Sequence, residues 1–219
     1  MIVNVHHDCD GVLRKFHENA HRIFFGRHPE YKWLQLPIDQ FRGWAWEDQM
    51  KNDTPEAKKE AKKVDELMWK ELFEDPEISY QAFGEAESYY TPDEWREHIE
   101  LIKEKFPDAN IVISTHQFTP SAHTATMDFL AKRKYLIDDE VSILTTGRKE
   151  LFGAHFLLDD KPSTIENFHT PYKAIGVLYD NPSSNGWYLR KHKKLNFPVA
   201  KNLEEFRKVI FDKAIELLD

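Results

Sequence analysis

The chain has 219 residues, enough for one large domain or a core domain with a smaller insertion, and 30 Lys and Arg against 38 Asp and Glu give a formal charge of -8. That acidity excludes a broad electrostatic footprint for duplex nucleic acid, so a small anionic ligand would need local positive charge or a metal. The single cysteine, Cys9, excludes an intramolecular disulfide framework; with no apolar run of about eighteen residues and no signal-like start, the expectation is a soluble cytoplasmic protein without membrane partners.

The opening residues read as a strand that runs into Asp8-Cys9-Asp10-Gly11. Where a strand breaks into a turn, carboxylates at i and i+2 can converge on one cation or phosphate, and Gly11 permits the turn. At the carboxyl end of a strand in an open α/β sheet, that is where such folds bind ligands. Cys9 is expected to point away from the acids into packing. From Leu13 to about Phe25, the spacing of Leu13, Phe16, Ala20 and Ile23 predicts a helix. Residues 26 to 53 carry Pro29, Pro37 and Gly43 among Tyr31, Trp33, Trp44 and Trp46, a loop-rich aromatic stretch.

Thr54-Pro55 starts a helix to about Phe73, with Val64, Leu67, Met68 and Leu72 as its apolar stripe and Lys58 to Lys63 as a solvated face. Asp75 to Tyr90 is expected to be a loop. Thr91-Pro92-Asp93-Glu94 then forms a capping box for a helix to Phe106 with Trp95, Ile99 and Ile102 inward. Trp69 and Trp95 are both expected in the core of the insertion. Beyond Pro107 the pattern becomes regular. A strand containing Ile111-Val112-Ile113 leads to a helix over about 122 to 136. Strands at Val141 to Leu144 and Phe156 to Leu158 follow, then a helix near Ser163 to Phe168, a strand at Ala174 to Tyr179 and a terminal helix capped by Asn202.

This alternation argues a parallel sheet, with residues 1–25 and 107–219 forming an α/β core and residues 26–106 a mostly helical, aromatic-rich cap over its carboxyl edge. Ser114-Thr115-His116, Thr145-Thr146-Gly147-Arg148-Lys149 and Asp159-Asp160-Lys161-Pro162 each follow an apolar run. Acids at two strand ends with hydroxyls and a lysine between them suit phosphoryl transfer to a carboxylate. Mg²⁺ prefers a few hard oxygens plus waters, which Asp8, the Asp10 carbonyl and one of Asp159 or Asp160 could supply. Eleven histidines show no spacing for a transition-metal site. His7, beside Asp8, is read as a core or rim histidine.

In these four segments the chain resembles the haloacid dehalogenase-like phosphohydrolases, and among them the 5'(3')-deoxyribonucleotidases. The matching segments are Asp8-Cys9-Asp10-Gly11-Val12-Leu13, Ile113-Ser114-Thr115, Lys149, and Leu158-Asp159-Asp160-Lys161-Pro162. The resemblance covers residues 1–25 and 107–182. It implies a Rossmann-like core with helices on both faces, Asp8 as nucleophile, Asp10 as general acid, and Thr115 and Lys149 on the phosphoryl group. Asp160 would be the inner Mg²⁺ ligand and Asp159 its neighbour. Phe16, Trp44 and Trp46 look like the aromatic wall for a nucleoside, with His116 beside it. Ala45 replaces a large aromatic of that family and His116 a small hydroxyl residue, which bears on base and sugar preference. The implied substrate is a nucleoside monophosphate, with a homodimer compatible. Sugar phosphates, nucleic-acid 3'-phosphates and a catalytically idle binding module are the rival readings.

Overall fold

The computed structural model describes residues 2–43, 45–170 and 173–218. Its centre is a six-stranded, all-parallel sheet of β1 (Asn4–Asp8), β2 (Asn110–Thr115), β3 (Val141–Thr145), β4 (Phe156–Asp159), β5 (Ile175–Tyr179) and β6 (Val199–Ala200), in the order β3-β2-β1-β4-β5-β6. The order reverses between β2 and β4, on either side of β1, so the carboxyl end of β1 opens at the switch point where such sheets take ligands.

Strand periodicity explains the two faces. Phe156, Leu158, Ile175 and Val177 share one buried cluster with helices α4 (Pro92–Lys105) and α8 (Leu203–Leu218), while Leu157 and Leu178 face α6 (Pro162–Phe168) and α7 (Gly186–Lys191). Central strands buried on both faces read as continuous apolar runs, which makes them visible in the sequence. Neither α7 nor β6 has a counterpart among the elements expected from the sequence.

A third cluster joins α1 (Phe16–Arg27), α2 (Pro55–Glu74), α3 (Pro76–Gly84) and the start of α5 (Pro120–Lys132). In α2, Val64, Met68 and Leu72 are fully buried, and Thr54 caps the helix by accepting from the Ala57 N–H. The expected loop from Asp75 to Tyr90 instead contains α3. Asp75 accepts from the Glu77 and Ile78 N–H groups, and Pro76 stands at the first helical position, the same start signal as in α2. The helix expected from Leu13 starts at Phe16, because Leu13 and Arg14 both donate to the Cys9 carbonyl and Gly11 to the Arg14 carbonyl, closing a turn first.

Trp95 is corrected more substantially. It lies with Ile99 and Ile102 against β1, β2 and α8, so α4, expected within the insertion, packs as part of the sheet core. Its indole N–H donates to the Tyr135 carbonyl at 2.9 Å. No helix among the described residues is long and apolar enough to cross a membrane.

Candidate active site

Four strand ends build the site. Asp8 closes β1, Thr115 closes β2, Lys149 enters from a 3-10 turn (Lys149–Leu151) after β3, and Asp159-Asp160 closes β4. The Lys149 Nζ lies 2.6 Å from Asp8 Oδ1 and 2.6 Å from Asp159 Oδ2, and Asp159 Oδ1 accepts from the Lys161 N–H at 2.8 Å. One ammonium therefore holds two carboxylates in register. Asp160 is fully buried behind them, and neither of its oxygens makes a hydrogen bond of good geometry, the Ser184 hydroxyl being a weak partner beside it.

Oxygens of Asp8, Asp159 and Asp160 lie within 4.8 Å of one another. Burial first, and then the neighbouring carboxylates against the opposing pull of Lys149, push the Asp8 carboxyl up to about 7; burial and the charges of Asp8 and Asp159 raise Asp160 well above its ordinary value. Three clustered acids, of which one ammonium pairs with only Asp8 and Asp159, fit a divalent cation bound by hard oxygens. Gly11 makes this packing possible: its φ is +78°, and a Cβ there would collide with Asp160 Oδ2.

Asp10 is held differently. The guanidinium of Arg14, fully buried, contacts Asp10 Oδ1 through Nε at 2.7 Å and Nη2 at 2.5 Å, while Gln117 Nε2 donates to Asp10 Oδ2 at 3.1 Å. Arg14 also donates to the Phe83 carbonyl and Thr126 Oγ1 and sits between the Phe83 and Phe129 rings. From the far side, Asn181 donates to the Gly11 carbonyl at 2.7 Å and Asn185 to the Asp160 carbonyl at 2.7 Å.

Above these groups opens a cleft of about 540 Å³ with Asp8, Asp10, Lys149 and Asp159 among its lining. Its walls are aromatic. Phe16 stacks on Phe83 at 4.6 Å, Trp69 on Phe73 at 4.6 Å, and Phe118 meets Phe73 edge-on at 5.4 Å.

The fold has a counterpart among solved structures. A haloacid dehalogenase-like hydrolase from Burkholderia xenovorans LB400 matches over 100% of this chain and 99% of its own, with a TM-score of 0.50 at 14% identity. The fold is that of a haloacid dehalogenase-like hydrolase. A hydrolase from Pseudomonas syringae also matches, over 100% of both chains at 12% identity with a TM-score of 0.46, and adds nothing to that statement. No family model and no curated protein matches the chain.

Within the haloacid dehalogenase-like fold, Asp8, Asp10, Lys149, Asp159, Phe16, Trp46 and His116 all line one cleft. Thr115 does not. It is 1% exposed, and its hydroxyl accepts from Gln117 at 2.9 Å. Trp44 lies outside the described residues. Trp69, expected in the core of the insertion, is 43% exposed and lines the cleft, because it sits beside the buried stripe of α2 rather than on it. Sequence reasoning misses Arg14, Gln117, Phe73, Phe83, Phe118, Asn181 and Asn185. The asparagines carry a signal, since Asp180-Asn181-Pro182-Ser183-Ser184-Asn185 is a polar loop at the end of an apolar strand like the other four. Cys9 is buried in the sheet core, where burial pushes its thiol up, away from thiolate chemistry.

His7 also turns into the core, with its Nε2 2.9 Å from His98 Nε2 and its ring edge-on to Trp95. Burial lowers His7 and His17 to about 3 and His6 and His21 to about 4, and drives His98 well below its ordinary 6.5. The unfolded chain binds protons that these five reject when folded. Their stabilisation is thus complete above pH 6.5 and is lost as pH falls toward 4 and 3. Each is expected to cost about 1 kcal/mol at pH 5.5, partly offset by the raised carboxyls of Asp8 and Asp160. Chemical denaturation at pH 7.5 and 5.5 checks this: a loss of a few kcal/mol at the lower pH is expected, and equal stabilities would contradict it.

Proposed function

We propose that the chain is a Mg²⁺-dependent phosphatase for nucleoside 5'-monophosphates, deoxyribonucleotides first among them. The observation that carries this reading is the Asp8–Lys149–Asp159 ion-paired group, with Asp160 buried behind it, at the floor of an aromatic-walled cleft. Asp8, Asp160 and the Asp10 carbonyl would hold the metal. When bound, Mg²⁺ would offset the negative charge of the three carboxylates and of the phosphoryl oxygens.

The chain's own residues would do the rest. Asp8, aimed by Lys149, would attack phosphorus and take up the phosphoryl group, while the alkoxide of the nucleoside leaves with a proton from Asp10. Water, giving its proton back to Asp10, would then split the acyl phosphate and regenerate the Asp8 carboxylate. Arg14 fixes one Asp10 oxygen, so the other, bonded to Gln117, is the one free to exchange partners toward the leaving group. Lys149 would stay protonated throughout, since Asp159 and Asp8 outweigh the effect of its burial, and would hold phosphoryl oxygens as charge shifts.

The direct test is release of phosphate from a panel of nucleoside monophosphates and sugar phosphates, with and without Mg²⁺; no metal-dependent release from any of them would end this reading. Selectivity is tested through the walls. An aromatic face stacking on a base is worth about 1–3 kcal/mol, which a simple phosphate ester does not gain. Trp46→Ala and Trp69→Ala are each expected to lower kcat/KM for nucleotides roughly ten- to a hundredfold relative to p-nitrophenyl phosphate. Trp95→Ala, a core change, should instead lower the melting temperature and affect both substrates alike. An unchanged ratio in both cleft variants would leave the aromatic residues as packing alone.

A further inference from the structure

Helix α2 presents a second stripe besides its buried one. Asp65, Trp69 and Phe73 follow one another at i, i+4 and i+8, and all three line the cleft. With a rise of about 1.5 Å per residue, Asp65 stands about 12 Å along the helix axis from Phe73. The Phe73 end leads to the catalytic side, since Phe73 meets Phe83, whose ring lies under Arg14, the partner of Asp10. Asp65 marks the other end, beside Trp46 and Glu47.

The Asp65 carboxylate has unusual company for a charge in an aromatic cleft. No lysine, arginine or histidine pairs with it among the described residues, and Glu47 and Glu66 near it carry the same sign. It accepts from the Glu47 N–H of the Trp46–Gln49 turn at a long 3.3 Å, with the Trp46 N–H close enough to favour its charge. That bond serves the turn and leaves further lone pairs for a ligand. Burial raises the Asp65 carboxyl, and the charge of Glu47 adds to it, the sign of a charge that lacks compensation. Aromatic faces attract N–H groups and cations, and a carboxylate accepts from them.

We propose that Asp65 is a specificity residue that accepts a hydrogen bond from a nitrogen donor, neutral or cationic, at the end of the substrate remote from its phosphate. This rests on the phosphatase reading and deepens it. Two sources share that chemistry, the amino group of a nucleobase and an alkylammonium group, and a matched pair of substrates represents each.

The experiment compares kcat/KM for deoxycytidine against deoxyuridine 5'-monophosphate, which differ at an amino and an oxo group, and for phosphoethanolamine against 2-hydroxyethyl phosphate. The wild-type protein is expected to favour the amino member about tenfold or more in at least one pair, and Asp65→Asn to remove that preference. Asparagine keeps a carbonyl for the Glu47 N–H, so the turn remains while the charge goes; circular dichroism and melting verify the fold. A response in the first pair alone assigns the donor to a base, and one in the second alone to an ammonium; both support the proposal. A wild type without preference in either pair overturns it independently of any variant, as does a preference that survives in Asp65→Asn. Absence of phosphate release from all four substrates is a different failure, that of the phosphatase reading, and this proposal would fall with it.

Discussion

Asp8→Asn is expected to abolish phosphate release while leaving the fold intact. An amide does not attack phosphorus and binds Mg²⁺ poorly, so the proposed covalent step and the proposed metal site would be lost together. The rate should fall at least about a thousandfold, which corresponds to about 4 kcal/mol of barrier. The fold should survive because the amide has nearly the shape of the carboxylate and removes one negative charge from a buried cluster of three acids in which Lys149 pairs with two. Phosphate release and circular dichroism measured on the same preparation decide the matter. A folded variant that keeps more than about a tenth of the wild-type rate removes Asp8 from the nucleophile role. Asp10→Asn should behave differently: p-nitrophenolate needs little protonation as it leaves, so its release should suffer less than that of a nucleoside.

Arg14→Met should cost more stability than Asp8→Asn, Asp65→Asn or Trp69→Ala. The guanidinium is fully buried and serves Asp10, the Phe83 carbonyl and Thr126 Oγ1 at once, between two aromatic rings. Methionine fills most of the volume but leaves the Asp10 charge without its partner and two acceptors without donors. Removing one member of a buried pair costs about 3–5 kcal/mol. In a chain of this size that lowers the melting temperature by roughly 10 °C. Turnover should fall as well, because Asp10 would lose the bond that fixes its Oδ1. Arg14→Lys separates the effects, since it keeps the charge and loses the forked geometry. Melting of Arg14→Met within about 2 °C of wild type would contradict this account.

Features set by local chemistry are legible in the chain before it folds. Central strands buried on both faces tend to be continuous apolar runs, so β2, β4 and β5 can be read directly, and strand-helix alternation implies the parallel sheet that the structure has. Helix starts are legible where a capping side chain and a proline announce them, as at Thr54-Pro55 and at Thr91, whose capping box forms as expected. The same signal stands at Asp75-Pro76, where the expectation of a loop overlooks it. Acids and a lysine at successive strand ends point to Asp8, Asp10, Lys149 and Asp159 as a candidate set, because the carboxyl ends of parallel strands converge in any such sheet.

Partners that lie far apart in the chain are a product of packing. The bond from Arg14 to Thr126 spans 112 residues and that from Asn181 to Gly11 spans 170. No periodicity or capping rule encodes such pairs, since they arise only when separate elements are brought together. For the same reason Trp95 and Trp69, both tryptophans on amphipathic helices, part from the common role in a cap core that their local patterns suggest. One is sealed against the sheet by α8, and the other is left on the cleft wall because the buried stripe of α2 passes beside it.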